Sequence, residues 1–206
     1  MGDAAKKNGL KIIAGVYIRQ GGTGTAQDEV KALTQWAQWD QVNFVVIGNE
    51  AIKDSYTTAG ELASFIKQVK DTLQKAGYKG GVTTADILGT WQNGKELCDA
   101  VDIVGANLHP YYDPNATPET AGDVVMNQLG QLGGVCGGKE TYNLETGWPN
   151  GGNSNGKAIT GEQAQKIAIK AIAHAAGEKS VFFSFQDDPW KGGGVEAHWG
   201  SINAFA

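Results

Sequence analysis

Six short apolar, β-branched runs recur along the chain at intervals that a helix can fill, and this spacing restricts the fold more than any other feature. The runs are Lys11–Ile18, Asn43–Gly48, Gly81–Ile87, Asp102–Leu108, Glu140–Leu144 and Ser180–Phe185. Such continuity is typical of parallel strands buried on both faces. The runs start every ~34 residues on average, close to the roughly 31 residues per unit of an eight-unit barrel. Between them lie helical patterns. Thr58–Lys75 places Leu62, Phe65, Ile66, Val69 and Leu73 on one face and stops at Gly77. Thr160–Ala176 opens with Thr160-Gly161-Glu162-Gln163, which reads as a capping box, and stops at Gly177. The expected fold is α/β, of the (β/α)8 TIM-barrel type, with six of the eight βα units present in a single domain over residues 1–206. Thirty glycines, about twice the usual share of ~7%, suit many tight turns between strand and helix.

The net charge of −5 comes from scattered carboxylates, and 19% charged with 41% hydrophobic residues is globular composition. No Lys/Arg cluster offers a footprint for nucleic acid or an anionic membrane, so neither is an expected partner. No apolar run approaches the ~18 residues of a spanning helix. The opening Met1–Lys7 lacks the apolar core of a secretory signal, which by itself leaves the compartment open.

Nearly every chemically capable group falls at the C-terminal end of a run: Glu50, Asp86, His109 to Tyr112, Glu145 to Trp148, and Asp187 to Lys191. Barrel enzymes build their sites on that face. Glu50 ends Val45-Val46-Ile47-Gly48-Asn49-Glu50, and Glu145 stands in Asn143-Leu144-Glu145-Thr146-Gly147-Trp148-Pro149. The two are three repeat units apart, so both are expected to face one cavity. Glycoside cleavage needs such a pair, one carboxyl to protonate the leaving oxygen and one to attack or activate water. A lone strand-end Glu is more often a solvated charge; the pairing, register and aromatic neighbours argue otherwise here.

Gly48-Asn49-Glu50, His109-Pro110-Tyr111-Tyr112, Glu145-Thr146-Gly147-Trp148-Pro149 and the tail Asp188-Pro189-Trp190-Lys191 through Gly194–Gly200 resemble glycoside hydrolase family 17. Fungal-type β-1,3-glucanases and β-1,3-glucanosyltransferases are the nearest in pattern. The resemblance implies retaining double displacement, with Glu50 as acid/base, Glu145 as nucleophile, and secretion or a cell-wall location. It numbers the visible strands as the third to eighth of the family barrel, so the first two units are expected to be absent. Asp3–Asn8 then resembles the end of the second helix. Relatives carry Asp/Asn-Glu where this chain has Asp187-Asp188, which shortens the carboxylate at 188.

Around the pair, Asn49 is expected to hydrogen-bond the sugar 2-hydroxyl, the alternative being a turn residue. His109 and Tyr111 could orient Glu145 or touch sugar, or serve as buried hydrogen-bonded strand residues. Trp148 and Trp190 suit stacking on a glucose ring, although packing is the commoner fate of Trp, and Trp36 and Trp39 read as packing residues. Lys191 could line the site or pair with Asp188. The substrate expected is a β-1,3-glucan. Gly152-Asn153-Ser154-Asn155-Gly156 lacks the apolar strand that a nucleophile elbow needs, and Gly22-Thr23-Gly24 lacks the third glycine of a dinucleotide fingerprint. Asn115-Ala116-Thr117 is a sequon followed by Pro118 and marks a surface loop. Three scattered histidines imply no metal site, and no motif calls for a cofactor.

Two cysteines are too few for a disulfide scaffold. Cys98 and Cys136 precede adjacent strands at the opposite rim, where a bond between them would fit; two free thiols are the alternative. With two units fewer than a closed barrel, the strands at Lys11 and Ser180 are expected to expose backbone edges. A homodimer through those edges or a separate N-terminal complement would cover them, ahead of closure of a smaller barrel. Two rival functions remain: a non-catalytic glucan-binding remnant, and a doubly wound nucleotide-binding fold.

Overall fold

The computed structural model describes residues 2–205. After a short helix α1 (Gly2–Lys7), strand and helix alternate: β1 (Ile12–Val16), α2 (Gln27–Trp36), β2 (Val42–Asn49), α3 (Ala59–Lys75), β3 (Gly81–Asp86), α4 (Leu88–Asn93), β4 (Val104–Asn107), α5 (Ala121–Gly133), β5 (Thr141–Thr146), α6 (Glu162–Ala176) and β6 (Ser180–Phe182). All six runs read from the sequence form strands. The chain divides into two compact units, one of residues up to Ala106 together with Leu132–Thr141, the other of Asn107–Gln131 with the residues from Tyr142 onward.

In the first unit β1, β2, β3 and β4 pair side by side, all parallel, with Val16 opposite Ile47, Val45 opposite Val82 and Asp86 opposite Ala106. Every described residue of β4 is buried and all but the first of β3, so these strands carry no polar face. The two threonines inside β3 are bonded: Thr84 Oγ1 donates to Gly48 O at 3.0 Å and Thr83 Oγ1 to Ile103 O at 2.9 Å. Helix α3 packs its buried stripe of Leu62, Phe65, Ile66, Val69 and Leu73, as its periodicity requires. β1 differs from the expected two-sided burial, since Ile13 and Gly15 are exposed while Val16 is buried.

Capping is where the sequence reading fails. The box forms at the head of α3, where Thr58 Oγ1 accepts from the Glu61 amide and Glu61 Oε2 accepts from the Thr58 amide. At α6 the expected box is absent. Gly161, at φ +129°, is the N-cap without a side-chain bond, and Thr160 instead spends its hydroxyl on Gly152 O at 2.7 Å.

In the second unit β5 pairs with β6, and α6 buries Ala164, Ala168, Ile169 and Ile172. Gly122, at the start of α5, lies so close to α6 that a Cβ there would come 2.4 Å from Ala171 O.

Cys98 and Cys136 are bonded to each other, with Cα atoms 5.2 Å apart. Lys139 reinforces the same corner by donating to the carbonyls of Cys98 and Val101. Closing a loop of 38 residues stabilises by about 4 kcal/mol in the chain-entropy picture. The denatured, unreduced chain should therefore show no thiol reactive toward a labelling reagent, and Cys98→Ser should lower the unfolding free energy by ~3–4 kcal/mol in a denaturant titration.

Tyr78 packs on Trp39 and donates its hydroxyl to Gly81 O at 2.9 Å. Burial, aided by the Asp102 carboxylate, pushes its phenol up to about 12. The folded value lies above the unfolded one. The contribution to stability is therefore fully present below pH ~10 and is lost as the pH rises through about 12. An ultraviolet tyrosinate titration should lose part of its late component in Tyr78→Phe.

Candidate active site

Glu50 follows the last residue of β2, and a bulge sets its direction. Three residue steps of β2, Val46 to Asn49, span only two of β3, Thr83 to Ala85. Within this bulge Gly48 adopts φ +83°, with Ile18 Cδ1 3.1 Å from where a Cβ would stand, so only glycine is comfortable. Bulges of this kind re-aim the side chains that follow. Glu50 itself has φ +49°, a left-handed conformation that costs a non-glycine residue ~1–3 kcal/mol and persists only where its surroundings enforce it. Its amide donates to Ala85 O at 2.8 Å, and its carbonyl accepts from Asp54 at 2.8 Å. The carboxylate is mostly covered and holds the Lys53 ammonium through Oε2. That bond is the main reason the Lys53 ammonium is held above its ordinary value, against the opposing effect of burial. Asn49 is half-buried, beside Ala85 in register.

Glu145 lies in a second bulge. Three steps of β5, Asn143 to Thr146, face two of β6, Ser180 to Phe182. Its carbonyl accepts from Leu108 at 2.9 Å, and Thr146 Oγ1 returns a bond to Leu108 O at 2.7 Å, fixing β5 beside the approach to His109. Glu145 Oε1 then meets His109 Nε2 at 3.1 Å. The other ring nitrogen, Nδ1, is buried without a protein partner among the described residues. A proton on Nε2 donates to the carboxylate and leaves only a lone pair unpaired; the opposite tautomer would bury an unpaired N–H and oppose two lone pairs. Aromatic rings hold the imidazole, with Trp199 edge-on at 4.8 Å and Tyr112 at 5.9 Å.

The remaining sequence candidates divide. His109 reaches Glu145. Tyr111 does not: it is buried, and its hydroxyl donates to Asn153 O at 2.5 Å, anchoring the loop after β5. Its phenol is raised, chiefly by burial and secondarily by the Glu196 carboxylate. Trp148 is corrected too. It is 0% exposed and donates Nε1 to Ile159 O at 2.8 Å, so its ring is a packing element and no face is free for a sugar. Trp190 is the opposite, 79% exposed. Lys191 pairs with Asp188 at 3.0 Å, and its Nζ stands 4.9 Å from the Phe183 centroid. Asp187, which the sequence did not separate from Asp188, ties the loop together by accepting from Gly200 N at 2.7 Å and Asn150 Nδ2 at 2.9 Å. Gly147 is required because a Cβ there would lie 2.4 Å from Phe183 O. Lys53 escaped the sequence reading, which placed Tyr112 and Asp86 at strand ends without a partner: the Tyr112 hydroxyl donates to Glu196 at 2.7 Å, and the buried Asp86 carboxylate accepts from the Glu50 turn. An i,i+3 Glu–Lys spacing could have flagged Lys53.

Residues 1–200 match the family model of the BtgE/BtgC glycoside hydrolase domain. Among named proteins, "Probable beta-glucosidase btgE" of Aspergillus flavus is 50% identical over 209 aligned residues, covering 100% of this chain and 35% of that protein. Its counterpart in Neosartorya fischeri is 48% identical, covering 100% of this chain and 38% of that protein. The chain thus spans little more than a third of the length of the curated relatives it matches. The glycoside hydrolase family 17 β-1,3-glucanosyltransferase of Rhizomucor miehei superposes with a TM-score of 0.85 at 25% identity, covering 97% of this chain and 74% of that one; an active-site mutant of it was solved with laminaritriose. An endo-laminarinase from Formosa shares the fold at a TM-score of 0.75 and 18% identity, covering 97% of this chain and 68% of that one. The fold is that of part of a TIM barrel, and the chain belongs to the BtgE/BtgC glycoside hydrolase domain family.

Proposed function

We propose that this domain cleaves or transfers β-1,3-glucan by a retaining mechanism, with Glu145 as nucleophile and Glu50 as acid/base. The observation that supports it most is the bulge-set Glu145 carboxylate, half-buried and hydrogen-bonded to His109 Nε2. In the first half-reaction Glu50 gives its proton to the glycosidic oxygen. A Glu145 oxygen bonds the anomeric carbon as the carbon–oxygen bond to the leaving sugar breaks. In the second, Glu50 takes a proton from water or a sugar hydroxyl, whose oxygen attacks the anomeric carbon and frees Glu145. Water gives hydrolysis and a sugar hydroxyl gives transfer. Glu50 Oε2 is engaged by Lys53, so this contact must open before that oxygen can reach a substrate. Asn49 is assigned to the sugar 2-hydroxyl. Trp190, with the Asp188–Lys191 pair at its base, is assigned to stacking at the rim.

Action on cell-wall glucan outside the cell agrees with the disulfide, since such bonds persist in oxidising compartments. No helix among the described residues is long and apolar enough to cross a membrane. The names of the relatives favour a second reading, release of glucose as a β-glucosidase.

Incubation with laminari-oligosaccharides followed by mass spectrometry separates these readings. Longer products indicate transfer, shorter oligosaccharides endo-cleavage, glucose alone a β-glucosidase; binding without turnover would leave a glucan-binding module. Glu145→Gln should abolish turnover, and on an aryl glycoside whose leaving group needs no proton azide should rescue Glu50→Ala as a β-glycosyl azide. Undiminished turnover in Glu145→Gln would sink the assignment.

Trp190→Ala should leave stability within about 0.5 kcal/mol, as for exposed surface positions, while raising KM several-fold. Trp148→Ala should instead cost about 3–5 kcal/mol of stability. A thermal melt beside Michaelis kinetics reads both, and an unchanged KM in Trp190→Ala would remove that residue from the site.

A further inference from the structure

Asp86 is the last residue of β3 and is fully buried, yet it forms no salt bridge among the described residues. A buried carboxylate is costly unless its lone pairs are filled. Here four donors fill them. Oδ1 accepts from the Ile87 amide at 2.9 Å and the Thr90 hydroxyl at 2.7 Å, both just after it in the chain. Oδ2 accepts from the Ile52 amide at 3.1 Å and the Lys53 amide at 3.4 Å, 34 and 33 residues away in sequence.

Those two amides begin the turn that Glu50 opens, the turn closed by Asp54 N–H on Glu50 O. At the start of any helical turn the first amides lack internal partners, and a side-chain oxygen normally supplied by the preceding residue satisfies them. Glu50 cannot do this for itself, because its carboxylate is turned away to Lys53. The cap comes from the neighbouring strand instead. It acts together with the Glu50 amide to Ala85 O bond, so β3 grips the Glu50 turn at two successive residues, Ala85 and Asp86. Residues in the left-handed conformation of Glu50 persist only where such contacts enforce them.

We infer that Asp86 is a positioning residue for the acid/base, fixing the Glu50 backbone by capping its turn from the next strand. This rests on the assignment of Glu50 above. A negative carboxylate is needed, since all four groups facing it are donors. An amide in its place would set an NH2 group against two N–H or O–H donors in either orientation.

The test compares Asp86→Asn, Glu50→Ala and Thr90→Val in the full chain on two substrates. One is a laminari-oligosaccharide, whose leaving sugar needs a proton. The other is a dinitrophenyl β-laminaribioside, whose leaving group needs none. Loss of acid catalysis lowers kcat/KM on the first and spares kcat/KM on the second, since that ratio reports only the first half-reaction, whereas a general loss of structure lowers both. Asp86→Asn is expected to lose ~100-fold in kcat/KM on the oligosaccharide, the scale of an ångström-sized misplacement, with little change in kcat/KM on the aryl glycoside. Thr90→Val removes a bond to the same carboxylate without touching the turn, and should show no such split. Hydrogen exchange gives a readout independent of activity: the Ile52 and Lys53 amides should lose protection in Asp86→Asn and keep it in Glu50→Ala. If Glu50→Ala shows the split and Asp86→Asn does not, or if both amides stay protected in Asp86→Asn, the inference is overturned and the acid/base assignment stands. If Glu50→Ala itself shows no split, it is the acid/base assignment that fails.

Discussion

A strand buried on both faces has nowhere along its length for an unsatisfied polar side chain, and this constraint shapes the rest of the molecule. β3 and β4 are buried almost throughout. Their few polar side chains, such as Thr83 and Thr84, are absorbed by backbone carbonyls of adjoining segments. Groups meant to meet a substrate are thereby driven to the strand ends, where the backbone turns away and water is available. Asp86 stands at the boundary of the two regimes. It is the final residue of its strand, still buried, and it is tolerated because four donors converge on it.

The two carboxylates assigned to chemistry share one device. Each lies at a β-bulge in which three residue steps oppose two. A regular strand sends alternate side chains to opposite faces, so one extra residue changes which face a side chain meets. The two are then held differently. Glu50 is fixed through its backbone, by Ala85 and Asp86, while its carboxylate keeps the company of an ammonium. Glu145 is fixed through its side chain, by an imidazole that is itself wedged edge-on against Trp199.

Much of the fold was legible in the sequence, because buried parallel strands leave short continuous apolar runs with helical patterns between them. The strand-end positions of both glutamates and of His109 could be read from the runs, while the Cys98–Cys136 bond stood beside two free thiols until the structure joined them. What the sequence hid depends on contacts between residues far apart in the chain. Trp148 and Trp190 look alike as strand-end aromatics, and only the loop that carries Ile159 decides that the first is covered. The Thr160 motif satisfies the pattern of a capping box, but its hydroxyl is drawn to Gly152 O, and the helix starts from Gly161 instead. Thr58 and Glu61 meet the same pattern and form the box, the threonine hydroxyl also donating to the Glu61 carboxylate. Asp86 gave no local sign of its role, as the amides it caps lie more than thirty residues upstream.

The central claim is that Glu145 becomes covalently attached to sugar. Its most direct test is trapping with a 2-deoxy-2-fluoro-laminaribiosyl fluoride, whose fluorine slows breakdown of the intermediate more than its formation. Peptide mass spectrometry of the inactivated protein should place one fluorosugar on Glu145, in the peptide around Asn143–Trp148. A label on another carboxylate, or turnover of the reagent with inversion at the anomeric carbon, would contradict the account.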